Sequence, residues 1–110
     1  MEYQHKNLAG GKWFTLSFFE QIANIGSEIE RTIKWKNKGN FEYSNLAFER
    51  GLELLDLTIE DPKNKTRLKE LVRVREVLAD HFVFHNEYNS TDKNWQDYFY
   101  VFNFAVRAKY

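Results

Sequence analysis

The chain has no cysteine and no long apolar run, and each absence excludes a class of protein. Without cysteine there is no disulfide bond, no thiolate nucleophile and no zinc or iron–sulfur site with thiolate ligands. No segment approaches the roughly 20 consecutive apolar residues that cross a bilayer, and residues 1–12 lack the apolar stretch of a signal peptide. We therefore expect a cytoplasmic protein that makes no membrane contact.

An excess of charge of one sign is also absent, because 16 Lys and Arg residues balance 16 Asp and Glu residues. A chain without net charge has no overall field that would draw it to nucleic acid or to an anionic surface. Any contact with RNA would have to be local.

Helix-breaking residues are scarce, since the 110 residues include only five glycines and one proline. Hydrophobic residues make up 43% of the chain, which is ample material for one core. Because the breakers fall between stretches with apolar residues three and four positions apart, we predict an all-α fold, a four-helix up-and-down bundle. The predicted bundle domain covers residues 15–110, and residues 1–14 are predicted to be an N-terminal tail.

The first two helices have clear start and stop signals. Ser17 and Glu20 have the S-x-x-E spacing of a capping box, so the first helix should begin near Ser17 and end before Gly39. The second should run from Phe41 to Glu60, where Asp61-Pro62 stops it. Its apolar residues that we expect inside the bundle are Leu46, Leu52, Leu55 and Ile59.

The third helix is predicted over residues 66–85, and the fourth should begin near Thr91 and Asp92, which are both suitable N-cap residues. One apolar stripe of the third helix consists of Leu68, Leu71, Leu78 and Phe82.

The segment from Tyr98 to Val106 is apolar or aromatic around nearly its whole circumference when it is read as a helix. Such a helix must be buried on several sides, and a chain of this length has few other elements to cover it. We therefore predict a homodimer that forms through the fourth helix. The predicted interface residues are Trp95, Tyr98, Phe99, Phe102 and Val106.

One pair of residues suggests a chemistry. Arg75 and His81 are separated by five residues on the third helix, and this spacing resembles the R-x4–6-H signature of the HEPN family of small helical bundles. The resemblance implies a metal-independent ribonuclease in which the motif residues of two protomers face each other. Arg75 would then stabilise charge on the scissile phosphate, and His81 would take part in proton transfer or positioning.

The geometry of a straight helix limits this interpretation. Six residues leave Arg75 and His81 about 120° apart around the axis, so joint action requires the second protomer. The aromatic residue that usually lies two positions after the motif histidine is also missing, since Val83 occupies that place.

Two further patterns point to a ligand. His81 and His85 are four residues apart, which is half of a metal site, but the helical segments lack the E-x-x-H pattern of di-iron bundles, and we expect no metal or other cofactor. A basic run opens the third helix and is a candidate for local contact with RNA phosphates. Its candidate nucleic-acid-binding residues are Lys63, Lys65, Arg67, Lys69 and Arg73.

A stripe of carboxylates lies on the second helix, opposite its apolar face. Paired carboxylates can act as acid and base, but a stripe in this position is usually solvated, and we predict that it is. Its members are Glu49, Glu53, Asp56 and Glu60.

Taken together, these patterns favour a homodimeric interaction module that also binds a protein partner. The alternative from another class is a HEPN-like ribonuclease or a toxin-type RNA-binding protein.

Overall fold

The computed structural model describes residues 11–108 and is an all-α four-helix bundle, as the sequence predicts. The helices are α1 (Phe18–Asn37), α2 (Phe41–Glu60), α3 (Leu68–Phe82) and α4 (Asp92–Ala108). Two short 3₁₀ helices, Lys12–Thr15 and Pro62–Arg67, precede α1 and α3.

Contacts between helix ends give the up-and-down topology. Phe48 near the start of α2 contacts Phe82 at the end of α3, with 5.3 Å between the ring centroids. Lys36 near the end of α1 binds Asp92 at the start of α4, with Nζ 2.7 Å from Oδ1. α1 packs along both α2 and α4, and α2 also packs against α3. Each helix therefore runs antiparallel to the one before it.

The predicted helix starts are confirmed by their caps. The Ser17 side chain accepts a hydrogen bond from the Glu20 backbone N–H, and the Glu20 carboxylate accepts one from the Ser17 backbone N–H, which completes the capping box. Thr91 and Asn94 exchange the same kind of bonds at the start of α4. Each exchange satisfies backbone donors that a helix start leaves unpaired.

The third helix is shorter than predicted at its C-terminal end. Asp80 is buried, and its carboxylate accepts hydrogen bonds from the backbone N–H groups of Glu87 and Tyr88. These bonds fold the chain back after Phe82, and Asn86 takes a left-handed conformation with φ 53° to make the turn. His85 therefore lies beyond the end of α3, so His81 and His85 do not share a helical face.

The predicted tail reaches into the bundle, so its boundary at residue 15 lies too late in the chain. Trp13 is only 1% exposed and belongs to the core, and residues 1–10 lie outside the described part. Its indole Nε1–H donates to Thr58 Oγ1 at 3.0 Å, and its backbone carbonyl accepts from the side chain of Gln21 at 3.1 Å. The reason is chemical: an indole has one donor, and the buried hydroxyl of Thr58 gives it a partner.

Buried polar side chains extend the hydrogen bond between Trp13 and Thr58 into a network at the same end of the bundle. The Gln21 side chain donates to Asp61 at 2.8 Å and accepts from Asn64 at 2.9 Å, and Asn64 also donates to the carbonyl of Thr58. Gln21, Thr58, Asp61 and Asn64 are all buried, and these bonds satisfy them in place of water.

The core draws on all four helices, but it includes neither Leu46, which was predicted to be inside, nor Leu68, which belongs to the predicted apolar stripe of α3. Leu46 is 40% exposed and Leu68 is 42% exposed. On α2 the buried face passes through Ala47 and Gly51, because α1 approaches closely there. Leu46 precedes Ala47 by about 100° around the helix and therefore turns outward.

Candidate functional site

Arg75 is held by a neighbouring helix. Its guanidinium binds the Asp56 carboxylate of α2 in a bidentate manner, with Nε 2.6 Å from Oδ1 and Nη2 3.3 Å from Oδ2. The hydrogen bonds that Arg75 donates to Asp56 raise the pKa of Arg75. The predicted solvated stripe on α2 is therefore only partly solvated, because Asp56 is paired and Glu53 is buried.

His81 takes a different partner. Its Nε2 lies 2.8 Å from Oδ1 of Asp92, the same oxygen that binds Lys36. Burial raises the pKa of Asp92, but the hydrogen bonds from Lys36 and His81 outweigh that effect and hold it below its ordinary value. Asp92 is therefore an acceptor near neutral pH, which makes Nε2 of His81 the donor. The opposite nitrogen, Nδ1, is buried without a hydrogen-bond partner.

The two residues of the R-x5-H motif thus contact different helices within one chain. Arg75 faces α2, and His81 faces the start of α4. The side chain of His81 is 9% exposed. A shared catalytic cleft would have to bring Arg75 of one chain to His81 of another, so a HEPN-like activity stays a prediction.

Three residues of the basic run, Arg67, Lys69 and Arg73, line one open groove together with Glu70 and Glu76. Lys63 is paired with Asp61 and also donates to the carbonyl of Phe14 at 3.2 Å. Two arginines lie over aromatic rings: Arg67 is 4.1 Å from the Phe18 ring centroid, and Arg73 is 4.9 Å from that of Tyr88. Lys65 and Lys69 are exposed on the surface. All five predicted phosphate-binding residues are exposed, although Lys63, Arg67 and Arg73 also make contacts within the chain, and phosphate binding stays a prediction.

The predicted interface residues of the fourth helix pack within the chain. Trp95 and Phe99 are buried in the core, and Tyr98, Phe102 and Val106 are half-buried. Tyr98 donates its hydroxyl to Glu70 of α3 at 3.3 Å, and burial, together with that carboxylate, raises its pKa well above its ordinary value. We call these five residues the inner seam of α4, and the rest of the same chain largely covers them.

A second apolar face of α4 lies opposite the seam, and sequence analysis did not single it out. We call it the outer face of α4 and define it by Asp97, Tyr100, Val101, Phe104 and Arg107. Tyr100, Val101 and Phe104 are 64%, 62% and 60% exposed, and the rings of Tyr100 and Phe104 are stacked with centroids 6.2 Å apart. The apolar run from Tyr98 to Val106 was the sequence signal for this face. Its residues lie around more of the helix circumference than contacts on one side can bury.

A groove of about 570 Å³ lies between α1 and α4, beside the outer face. Its lining includes Gly26 of α1 and Phe99 of α4, which lie in close contact. Its lining carries both signs of charge and therefore selects neither an anion nor a cation. The charged lining residues are Glu30, Arg31, Lys34, Asp97 and Arg107.

None of the helices in residues 11–108 is both long and apolar enough to cross a membrane. Within the same range, no three His, Asp or Glu side chains cluster in a way that would hold a metal ion.

Comparison with protein-family models, with curated proteins and with solved structures gives no match. Functional inference therefore rests on the surfaces described above.

Proposed function

We propose that the protein is a cytoplasmic interaction module that works as a homodimer and associates through the outer face of α4. The observation that supports this proposal is the exposure of Tyr100, Val101 and Phe104, three large apolar side chains on consecutive turns of one helix. Scattered apolar side chains are normal on a protein surface, whereas a contiguous group of them marks an interaction site.

The driving force is the removal of this apolar surface from water. Full burial of a Val or Phe side chain contributes about 1.5–3 kcal/mol, and each chain contributes three such groups with more than half of their surface still exposed. Association must also offset a loss of translational and rotational freedom of about 4 kcal/mol or more. Burial of the remaining exposed surface of six side chains from two copies offsets a cost near the lower end of that range, and the adjoining groove widens the surface that a partner can contact.

Analytical ultracentrifugation of the purified chain tests the proposal. We expect a dimer at micromolar concentration and a monomer for Phe104→Glu, because a carboxylate at the centre of the contact would be buried without a partner. Phe84→Glu is the matched control, since Phe84 is equally exposed but lies in the loop after α3. Circular dichroism should show the same helix content for all three proteins. A wild-type monomer throughout the concentration range would refute the proposal.

A further inference from the structure

The outer face of α4 carries opposite charges at its two ends. Asp97 lies one turn before the apolar group, and Arg107 lies one turn after it. Arg107 follows Asp97 by ten positions, which corresponds to about 15 Å along the helix axis. The face is therefore negative at one end, apolar in the middle and positive at the other end.

We infer that the partner on this face is a second copy of the chain, bound antiparallel about a two-fold axis that passes between the two α4 helices at the level of residue 102. This inference rests on the proposed function. In this arrangement Asp97 lies opposite the partner's Arg107, and the two-fold axis repeats the ion pair at the other end of the contact.

The same axis also matches the apolar residues. Residue 102 is midway between Asp97 and Arg107, and it is midway between Tyr100 and Phe104 as well. A two-fold axis at that level therefore places Tyr100 beside the partner's Phe104. One register satisfies the charged ends and the aromatic centre together.

A parallel arrangement of the two helices would not be complementary. It would set Asp97 against the partner's Asp97 and Arg107 against the partner's Arg107, and like charges in contact are strongly unfavourable. Charge complementarity therefore selects the antiparallel dimer.

Both charged groups are available for this contact. Asp97 is paired with Lys93 at 2.8 Å, but their side chains are 65% and 78% exposed. An exposed pair of this type contributes little stability and exchanges easily. Arg107 is exposed in the last turn of α4.

Charge reversal tests the register. Asp97→Arg and Arg107→Asp each create two like-charge contacts in the antiparallel dimer, so each should raise the dimer dissociation constant at least about tenfold. The double variant restores both pairs with the signs exchanged and should recover most of the wild-type affinity. Glu49→Lys is the control, because Glu49 is exposed on α2, outside the outer face of α4; the dissociation constant of this variant should stay within about threefold of wild type.

Disulfide trapping gives a second measurement, and the absence of native cysteine keeps it specific. An oxidised mixture of Asp97→Cys and Arg107→Cys chains should give a disulfide between the two different variants. Each variant alone should give little, since two copies of residue 97 would be about 15 Å apart.

The outcomes separate the two proposals. If the chain dimerises through α4 but the double variant shows no recovery, or if each cysteine variant crosslinks to itself, the antiparallel register is wrong and the proposed function stands. If the wild-type chain is monomeric, both are wrong. Recovery in the double variant together with mixed crosslinks supports both.

Discussion

Gly26 of α1 lies directly against Phe99 of α4: a Cβ atom added to Gly26 would be only 2.8 Å from the Phe99 Cβ and 3.0 Å from its Cγ. Contacts of that length do not occur between carbon atoms in proteins, so any larger residue at position 26 must push the two helices apart. The close approach of α1 and α4 depends on this glycine. The direction in which α4 presents its outer face depends on it as well.

Gly26→Ala should therefore destabilise the protein. The overlap with Phe99 costs about 1–3 kcal/mol, and the better helix propensity of alanine returns about 1 kcal/mol of it. Gly51→Ala is the matched control, because the added Cβ there would make only ordinary contacts of 3.4 Å with Glu28 and Ile29. Urea unfolding should show a loss for Gly26→Ala and no loss for Gly51→Ala. Equal stability of the two variants would contradict the close approach.

Removal of the Trp13 side chain should be among the most damaging single changes. Trp13→Ala empties a fully buried site and should lower the free energy of unfolding by about 3–5 kcal/mol. Trp13→Phe keeps most of the volume but loses the hydrogen bond to Thr58, so its cost should be nearer 1–2 kcal/mol. Chemical denaturation measures both. A loss below about 1 kcal/mol for Trp13→Ala would mean that the domain begins at residue 15 after all.

Asp61 should make the protein sensitive to acid. Burial raises the pKa of this carboxyl, but the hydrogen bonds from Lys63 and Gln21 hold it below its ordinary value of 3.8. A carboxyl with a lowered pKa in the folded state stabilises the fold above that ordinary value, and the stabilisation is lost as the pH falls through the lower folded pKa. The free energy of unfolding of wild type should therefore fall more steeply below about pH 4 than that of Asp61→Asn.

The control for the acid experiment is Glu42→Gln, since Glu42 is exposed in the first turn of α2. Its pH profile should follow that of wild type. If Asp61→Asn and wild type gave parallel profiles between pH 5 and about pH 2.5, Asp61 would not be the group responsible.

Arg75 and Asp56 should be coupled in stability. A double-mutant cycle with Arg75→Ala and Asp56→Ala isolates their pairing, and an ion pair that is about 40% exposed should give a coupling of about 0.2–1 kcal/mol. Arg75→Lys should recover only part of it, because an ammonium group cannot make the bidentate contact. A coupling of zero would mean that the pair contributes nothing in solution.

The same variants also test the HEPN-like alternative. We expect no cleavage when the purified wild-type protein is incubated with RNA, because Arg75 and His81 are held by separate carboxylates. Cleavage that disappears in both Arg75→Ala and His81→Ala, with helix content unchanged, would establish a ribonuclease and overturn this expectation.

Local signals explain what the sequence predicted well. The capping box at Ser17, the stop at Asp61-Pro62 and the start near Asp92 are set by residues within one turn of each boundary, and each boundary is confirmed. The end of α3 was missed because it depends on Asp80, whose carboxylate binds backbone groups seven and eight residues away. The spacing of apolar residues along a helix does not predict a hydrogen bond between a side chain and the backbone of the following loop.

At the candidate site, too, contacts between residues far apart in the sequence decide features that local patterns do not predict. An apolar circumference on the fourth helix could be read from the sequence, but which half faces α1 depends on how closely Gly26 lets the helices approach. Trp13 falls within the predicted tail, whereas the structure ties it to the core through Thr58, 45 residues away, and no local pattern in the sequence indicates that contact.

The position of α1 between α2 and α4 also has a consequence for synthesis on the ribosome. The α1–α2 pair closes over a three-residue connection, so it can form as soon as α2 leaves the exit tunnel. The surface of α1 that receives α4 belongs to residues made more than fifty positions earlier, and it stays open to solvent while α2 and α3 are translated. The nascent chain therefore exposes an aggregation-prone apolar strip from the synthesis of α1 until α4 docks on it.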